Sequence, residues 1–372
     1  MRLFLARCRV YRSGRAVDHG NRRDSVLKRW GLDTPRLTAI AAAVVGIAAF
    51  WALDWPLPFL FGPMAGCLIA SLAGAKLRGL GVVSNGMRTI LGVAVGAAIT
   101  PALIADLPRM ALTLSLIPVY LIAAGVLGYP LLRRGFGLDH ATAWYGAMPG
   151  GLQDMMVFGE EAGGDPRALS LLHATRVMMV VMLAPPLLWA FWGVDLHTAP
   201  GQPIGATPLA QLGLMAVAAL GGWWAAKAVG LFGASILGPM IATAALSLSG
   251  FITMRPPAEA IWAAQVFIGL AVGVRYSGVS FYELRRFVLA GALLSLLLAL
   301  LTVAFAEAIF FADLAPQLEA FMAFAPGGQA EMTVLALLAG ADLAFIVAHH
   351  VLRIVLVITL SPVIDRLWMR KR

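Results

Sequence analysis

Two short stretches of this sequence pair a helix-breaking turn with an acid. They are Pro149-Gly150-Gly151-Leu152-Gln153-Asp154 and Pro326-Gly327-Gly328-Gln329-Ala330-Glu331. Each is followed by a His-x-x-Arg segment, His173 with Arg176 and His350 with Arg353. Proline lacks a backbone donor and glycine tolerates strained dihedrals, so Pro-Gly-Gly interrupts a helix. The helix that restarts after the glycines points unpaired N–H groups and a positive dipole end at what lies before it. An anion can bind there. Asp154 and Glu331, in the first turn, can equally satisfy that end themselves, or take up and release a proton. The spacing of three puts each His and Arg on one helical face. An arginine in apolar surroundings needs a partner; Asp154, Glu331 or a substrate carboxylate would serve, and the histidine could shuttle a proton. The structural alternative is a bridge tying the broken segment to the next helix. His349, beside His350, must face elsewhere.

The candidate solute- or ion-binding set is therefore Pro149, Gly150, Gly151, Gln153, Asp154, His173 and Arg176, with Pro326, Gly327, Gly328, Gln329, Glu331, His350 and Arg353. Gln265 and Tyr276 are further polar cavity liners. Met155, Met156, Met178, Met179, Met182 and Met332 would suit a copper path, but methionine in apolar spans serves packing far more often. The six histidines include no His-x-x-x-His pair, so no metal site, cofactor or catalytic residue is expected. Cys8 and Cys67 make no disulfide framework.

The elements that must position these residues are membrane helices. The chain of 372 residues is 60% hydrophobic and 13% charged, with mean hydropathy +0.84, against about 25% charged for a soluble domain. Long apolar stretches recur from about residue 37 to 364, continuous rather than alternating, which excludes a β-barrel. The net charge of +9 sits largely at the ends, in ten Arg and Lys among residues 1–36 and in Arg366, Arg370, Lys371 and Arg372. That distribution reads as topology and contact with anionic lipid, not as nucleic-acid binding. The basic arm lacks the apolar core and small-residue cleavage site of a secretory signal.

The chain divides into a basic cytoplasmic arm (1–36), a first membrane repeat (37–194), an extracytoplasmic linker without Lys or Arg (195–208), a second membrane repeat (209–365) and a basic cytoplasmic tail (366–372). The duplication is legible residue by residue. Gly238-Pro239-Met240 answers Gly62-Pro63-Met64 at an offset of 239 − 63 = 176. Gly269 and Gly273 answer Gly92 and Gly96, and the two Pro-Gly-Gly motifs correspond, at 326 − 149 = 177. Asp165 and Asp342, His173 and His350, Arg176 and Arg353 follow the same offset. If the Pro-Gly-Gly segments are re-entrant, about ten transmembrane helices remain, and Arg78, Arg88, Arg133, Arg134, Lys227, Arg275, Arg285 and Arg286 fall on the cytoplasmic side with both termini. Five spans per repeat makes the repeats inverted. The expected fold is thus an all-α polytopic membrane protein of about ten spans and two re-entrant segments in two inverted repeats.

The Gly-Pro-Met pair, the Ala-x-Pro-Gly-Gly…Met pair (the first copy beginning at Ala147, the second having Phe324 and Ala325 before Pro326) and the His-x-x-Arg pair together resemble the AbrB family of bacterial inner-membrane proteins over about residues 37 to 365. The resemblance implies a multi-pass protein of the bacterial cytoplasmic membrane carrying a regulator or an ammonia monooxygenase label. Three functions follow as expectations. The first is a proton-coupled secondary transporter of a small anionic or zwitterionic solute, working by alternating access. The second is an AbrB-type membrane protein that affects gene expression indirectly, since no segment has the length and soluble composition of a DNA-binding domain. The third, a monooxygenase, lacks the ligand spacing for its metal. Expected partners are a small solute and membrane lipid, with no nucleic acid; a homodimer is compatible with the sequence.

Overall fold

The computed structural model describes residues 33–197, 199–231 and 233–369. Most of the basic arm and the last three residues of the tail lie outside that range. The first half contains α1 (Thr34–Ala52), α2 (Pro58–Leu72), α3 (Val82–Ala98), α4 (Pro101–Pro130), α5 (His140–Ala147), α6 (Leu152–Glu161) and α7 (Pro166–Trp192). The second contains α8 (Leu209–Ala228), α9 (Ala234–Leu248), α10 (Ala258–Gly273), α11 (Phe281–Phe311), α12 (Gln317–Phe324), α13 (Gln329–Ala339) and α14 (Leu343–Met369). Element follows element at the offset of the sequence repeat.

Among the described residues seven helices are long and apolar enough to cross a membrane: α1, α4, α7, α8, α10 with its following turn, α11 and α14. The chain is an all-α, multi-pass membrane protein. The expected count of ten differs because α2, α3 and α9 have 15, 17 and 15 residues. At 1.5 Å per residue they reach roughly 22–26 Å, short of a hydrocarbon core of about 30 Å. The outermost helices are α1 and α8, with 17% and 22% of their apolar windows buried; α7 and α14 are central, at 67% and 56%. Large apolar side chains such as Trp51, Trp189, Trp224 and Phe281 are left exposed around the outside, as suits a surface bathed in lipid.

Helix starts and crossings follow local chemistry. Asp33 caps α1 by accepting from the Arg36 N–H. Asp165 caps α7 through the N–H groups of Arg167 and Ala168, and Asp342 caps α14 through those of Ala344 and Phe345. Gly92 and Gly96 of α3 press against the Ile236 and Met240 carbonyls of α9, and Gly269 and Gly273 of α10 against the Leu60 and Met64 carbonyls of α2. A Cβ at any of the four would strike backbone, so these crossings depend on the small residue. The helix starts correspond too: Leu57 and Gly233, the residues before α2 and α9, share the left-handed conformation at φ 57 and 58.

Candidate functional site

Each Pro-Gly-Gly motif is the break between two short helices. α5 ends at Ala147 and α6 begins at Leu152; α12 ends at Phe324 and α13 begins at Gln329. Gly151 and Gly328 stand just before the restarted helices in extended backbone, φ −64 and −73, which any residue could adopt. What they supply is space. The acid at the third position of each restarted helix folds back over its glycine, so a Cβ on Gly151 would meet the Asp154 carboxylate and one on Gly328 that of Glu331. Likewise Gly150 and Gly327 admit Met155 and Met332, whose Cγ atoms would lie 2.9 and 2.7 Å from an added Cβ. The protein's own carboxylates therefore lie over the two helix starts.

The arginines do not pair with those acids. Arg176 donates from Nη1 to the Met148 carbonyl at 2.9 Å and from Nη2 to the Gly150 carbonyl at 2.8 Å. Arg353 donates to the Ala325 and Gly327 carbonyls at 2.6 and 2.9 Å. Both guanidiniums are almost wholly buried, at 1% exposure. Their task is to satisfy carbonyls that the break deprives of helical partners, which is the bridging alternative in another form: hydrogen bonds to backbone rather than a salt bridge. His350 joins the clamp, with Nε2 against the Met322 carbonyl at 3.0 Å and Nδ1 facing Arg353 Nη2 at 3.4 Å. Arginine can only donate, so Nδ1 accepts and Nε2 carries the proton. His173 is fully buried and faces the Tyr145 backbone, the repeat equivalent of the Met322 carbonyl that His350 meets. His349 turns away to the Phe345 carbonyl and the Thr113 hydroxyl.

Between the restarted helices α6 and α13 lies a cavity of about 140 Å³. Gly150, Gly151, Asp154 and Arg176 line it from one repeat and Gly328, Gln329 and Glu331 from the other. Pro149, His173, Pro326, Gly327, His350 and Arg353 do not line it, and Pro326 lines a separate apolar cavity with Met179 and Met332. The Gln153 side chain lies outside the described residues. Gln265 lines a separate cavity of about 410 Å³ with Trp51, Trp55 and Trp262, beside the linker. Tyr276 is occupied by a hydrogen bond to Thr175 at 2.9 Å.

Two lining residues were not among the candidates. Arg88 and Arg275 reach the cavity from α3 and from the turn after α10. Neither guanidinium makes a hydrogen bond or ion pair among the described residues, and the Arg88 Nε is buried without an acceptor. By sequence both are loop charges that set topology, with the third span starting after Arg88. The helix starts at Val82, which carries Arg88 nearly two turns inside it.

No group of three or more His, Cys, Asp or Glu side chains able to hold a metal occurs among the described residues.

Comparison with known proteins bears on this arrangement. The family described as "Transition state regulatory protein AbrB" matches residues 59–369. "Putative regulator AbrB" of Escherichia coli (strain K12) is 26% identical over 332 residues, covering 85% of this chain and 91% of the relative. "Uncharacterized protein YhjN" of Bacillus subtilis (strain 168) is 27% identical over 295 residues, covering 75% of this chain and 76% of the relative. No solved structure matches. These findings correct the first functional expectation. The match is to a regulatory family and not to a transporter or an enzyme, and the arginines expected to meet a transported solute are committed to backbone carbonyls.

Proposed function

Because the chain belongs to the AbrB family, we propose that it is a membrane-embedded regulator, which alters gene expression indirectly and takes as its cue a small solute bound in the cavity between its two breaks. The extent of the family match carries this reading. Residues 59–369 are the membrane body itself, so the regulatory description attaches to helices and not to an appended soluble domain. A body held in the bilayer acts on transcription through a relay, and a charged cavity whose walls come from both repeats is suited to receive the first signal.

The finer topology belongs to the same proposal. The three shorter apolar helices α2, α3 and α9 join the seven long ones to make ten spans. The pairs α5–α6 and α12–α13 are re-entrant, and the repeats are inverted. Both termini and the basic loops then face the cytoplasm of a bacterial inner membrane, by the positive-inside rule, and the exposed apolar belt meets lipid.

The test is a deletion strain complemented with wild type, Glu331→Gln or Arg88→Gln. Transcript levels should change in the deletion and return only with wild type, while cellular solute content stays constant throughout. Unchanged transcripts, or transcripts that merely follow an altered solute pool, would refute the reading.

A further inference from the structure

The cavity is lined by charges of both signs, and none of them is closed into a hydrogen-bonded ion pair among the described residues. Arg88 and Arg275 line it, and their guanidiniums lack a hydrogen bond or ion pair among the described residues. Asp154 and Glu331 line it too. Glu331 is only 5% exposed, and neither carboxylate makes a side-chain hydrogen bond or ion pair among the described residues. Arg176, also lining the cavity at 1% exposure, keeps its Nε without an acceptor. Charges withdrawn from water without close ion pairing are costly. An anion alone would answer the arginines and bring no cation to the acids, and a cation alone would do the reverse.

We propose that this cavity binds a small zwitterion of the amino-acid class, its anionic group between Arg88 and Arg275 and its ammonium group between Asp154 and Glu331. The volume of about 140 Å³ favours the smallest members. The arginine pair is not duplicated: the positions equivalent to Arg88 and Arg275 at the offset of 177 are Gln265 and Ala98. The ligand would therefore bind in one orientation. This proposal rests on the cavity being the regulator's input, and it can fail separately from that reading.

The experiment is calorimetric titration of the purified full chain in detergent with three molecules of one skeleton: alanine, propionate, which lacks the ammonium, and ethylammonium, which lacks the carboxylate. Alanine should bind at least tenfold more tightly than either. Arg88→Gln and Glu331→Gln should each weaken alanine at least tenfold. Arg88→Gln installs the residue type found at the duplicate position, and an unchanged melting temperature would show that it still folds. Propionate or ethylammonium binding as tightly as alanine would overturn the proposal, as would no alanine binding. Altered transcripts in the deletion strain without alanine binding would sink the zwitterion and leave the regulator standing. Alanine binding with no transcript response would do the opposite.

Discussion

Arg176 and Arg353 make the same pair of bonds twice, each reaching back 28 and 26 residues to the two carbonyls that flank the proline of a Pro-Gly-Gly break. A charged donor to a backbone acceptor contributes about 1.5–3 kcal/mol, and a buried carbonyl left alone incurs a desolvation penalty. Arg353→Ala should therefore destabilise the protein by roughly 3–5 kcal/mol, read as resistance to unfolding in mixed micelles. Arg353→Lys keeps the charge but loses the planar fork and should recover less than half of that. An Arg353→Ala protein as stable as wild type would show that the break does not need its clamp.

The crossings of α3 with α9 and of α10 with α2 should be intolerant of volume. Gly92→Val and Gly269→Val place carbon where a carbonyl stands, and forced repacking costs typically about 1–3 kcal/mol. Gly205→Ala is the control, because an added Cβ there meets nothing within 4 Å. Melting temperatures in detergent should fall for the first two variants and hold for the third.

The linker carries a pH-sensitive tie. Asp195 accepts from the backbone N–H of His197 at 2.9 Å and contacts its Nδ1 at 2.8 Å, while Nε2 faces the Asp54 carbonyl at 3.2 Å. The Asp195 contact, then the Asp54 carbonyl, raise the His197 pKa. The backbone N–H of His197, then its ring, lower that of Asp195. The histidine's contribution is whole below its unfolded pKa of about 6.5 and is lost as pH rises through the raised folded value. The aspartate's is whole above about 3.9 and is lost as pH falls through the depressed one. The tie should thus be firmest between about pH 4 and 6.5. Proteolysis of the linker, taken as the ratio of His197→Ala to wild type at each pH, should be largest in that window and approach one at pH well above it. A ratio flat across pH would remove the tie.

Sidedness gives the simplest check on topology. In a background lacking Cys8 and Cys67, a cysteine at Gly205 should react with an impermeant maleimide added from outside, and one at Lys76 should not. Labelling of both from the same side would end the inverted reading.

Much of this arrangement is spelled in the sequence, and its gaps have a physical cause. Asp165 and Asp342, the glycine ladders and the two breaks were visible because each is a residue type whose chemistry is used locally. The role of Arg176 and Arg353 was not, because their partners are main-chain carbonyls and a carbonyl has no letter of its own. Arg88 and Arg275 escaped for a different reason. They occupy non-equivalent positions in the two repeats, so the duplication that drew attention to other residues passed over them. Among the described residues seven of the expected spans reach membrane length and three are shorter, because apolar composition is local, whereas length depends on where turns such as those before Val82 and Ala234 fall.

The reciprocal crossings also bear on how the chain is made. The second helix of each repeat lies on the third of the other, so Gly92 and Gly96, like Gly269 and Gly273, have their partners in the opposite repeat. When the ribosome has finished the first repeat, α2 and α3 still present bare carbonyl and glycine seams to lipid. They must wait for α9 and α10. Two separately translated halves should be degraded when produced singly and rescue one another when produced together, making them interdependent fragments rather than autonomous domains.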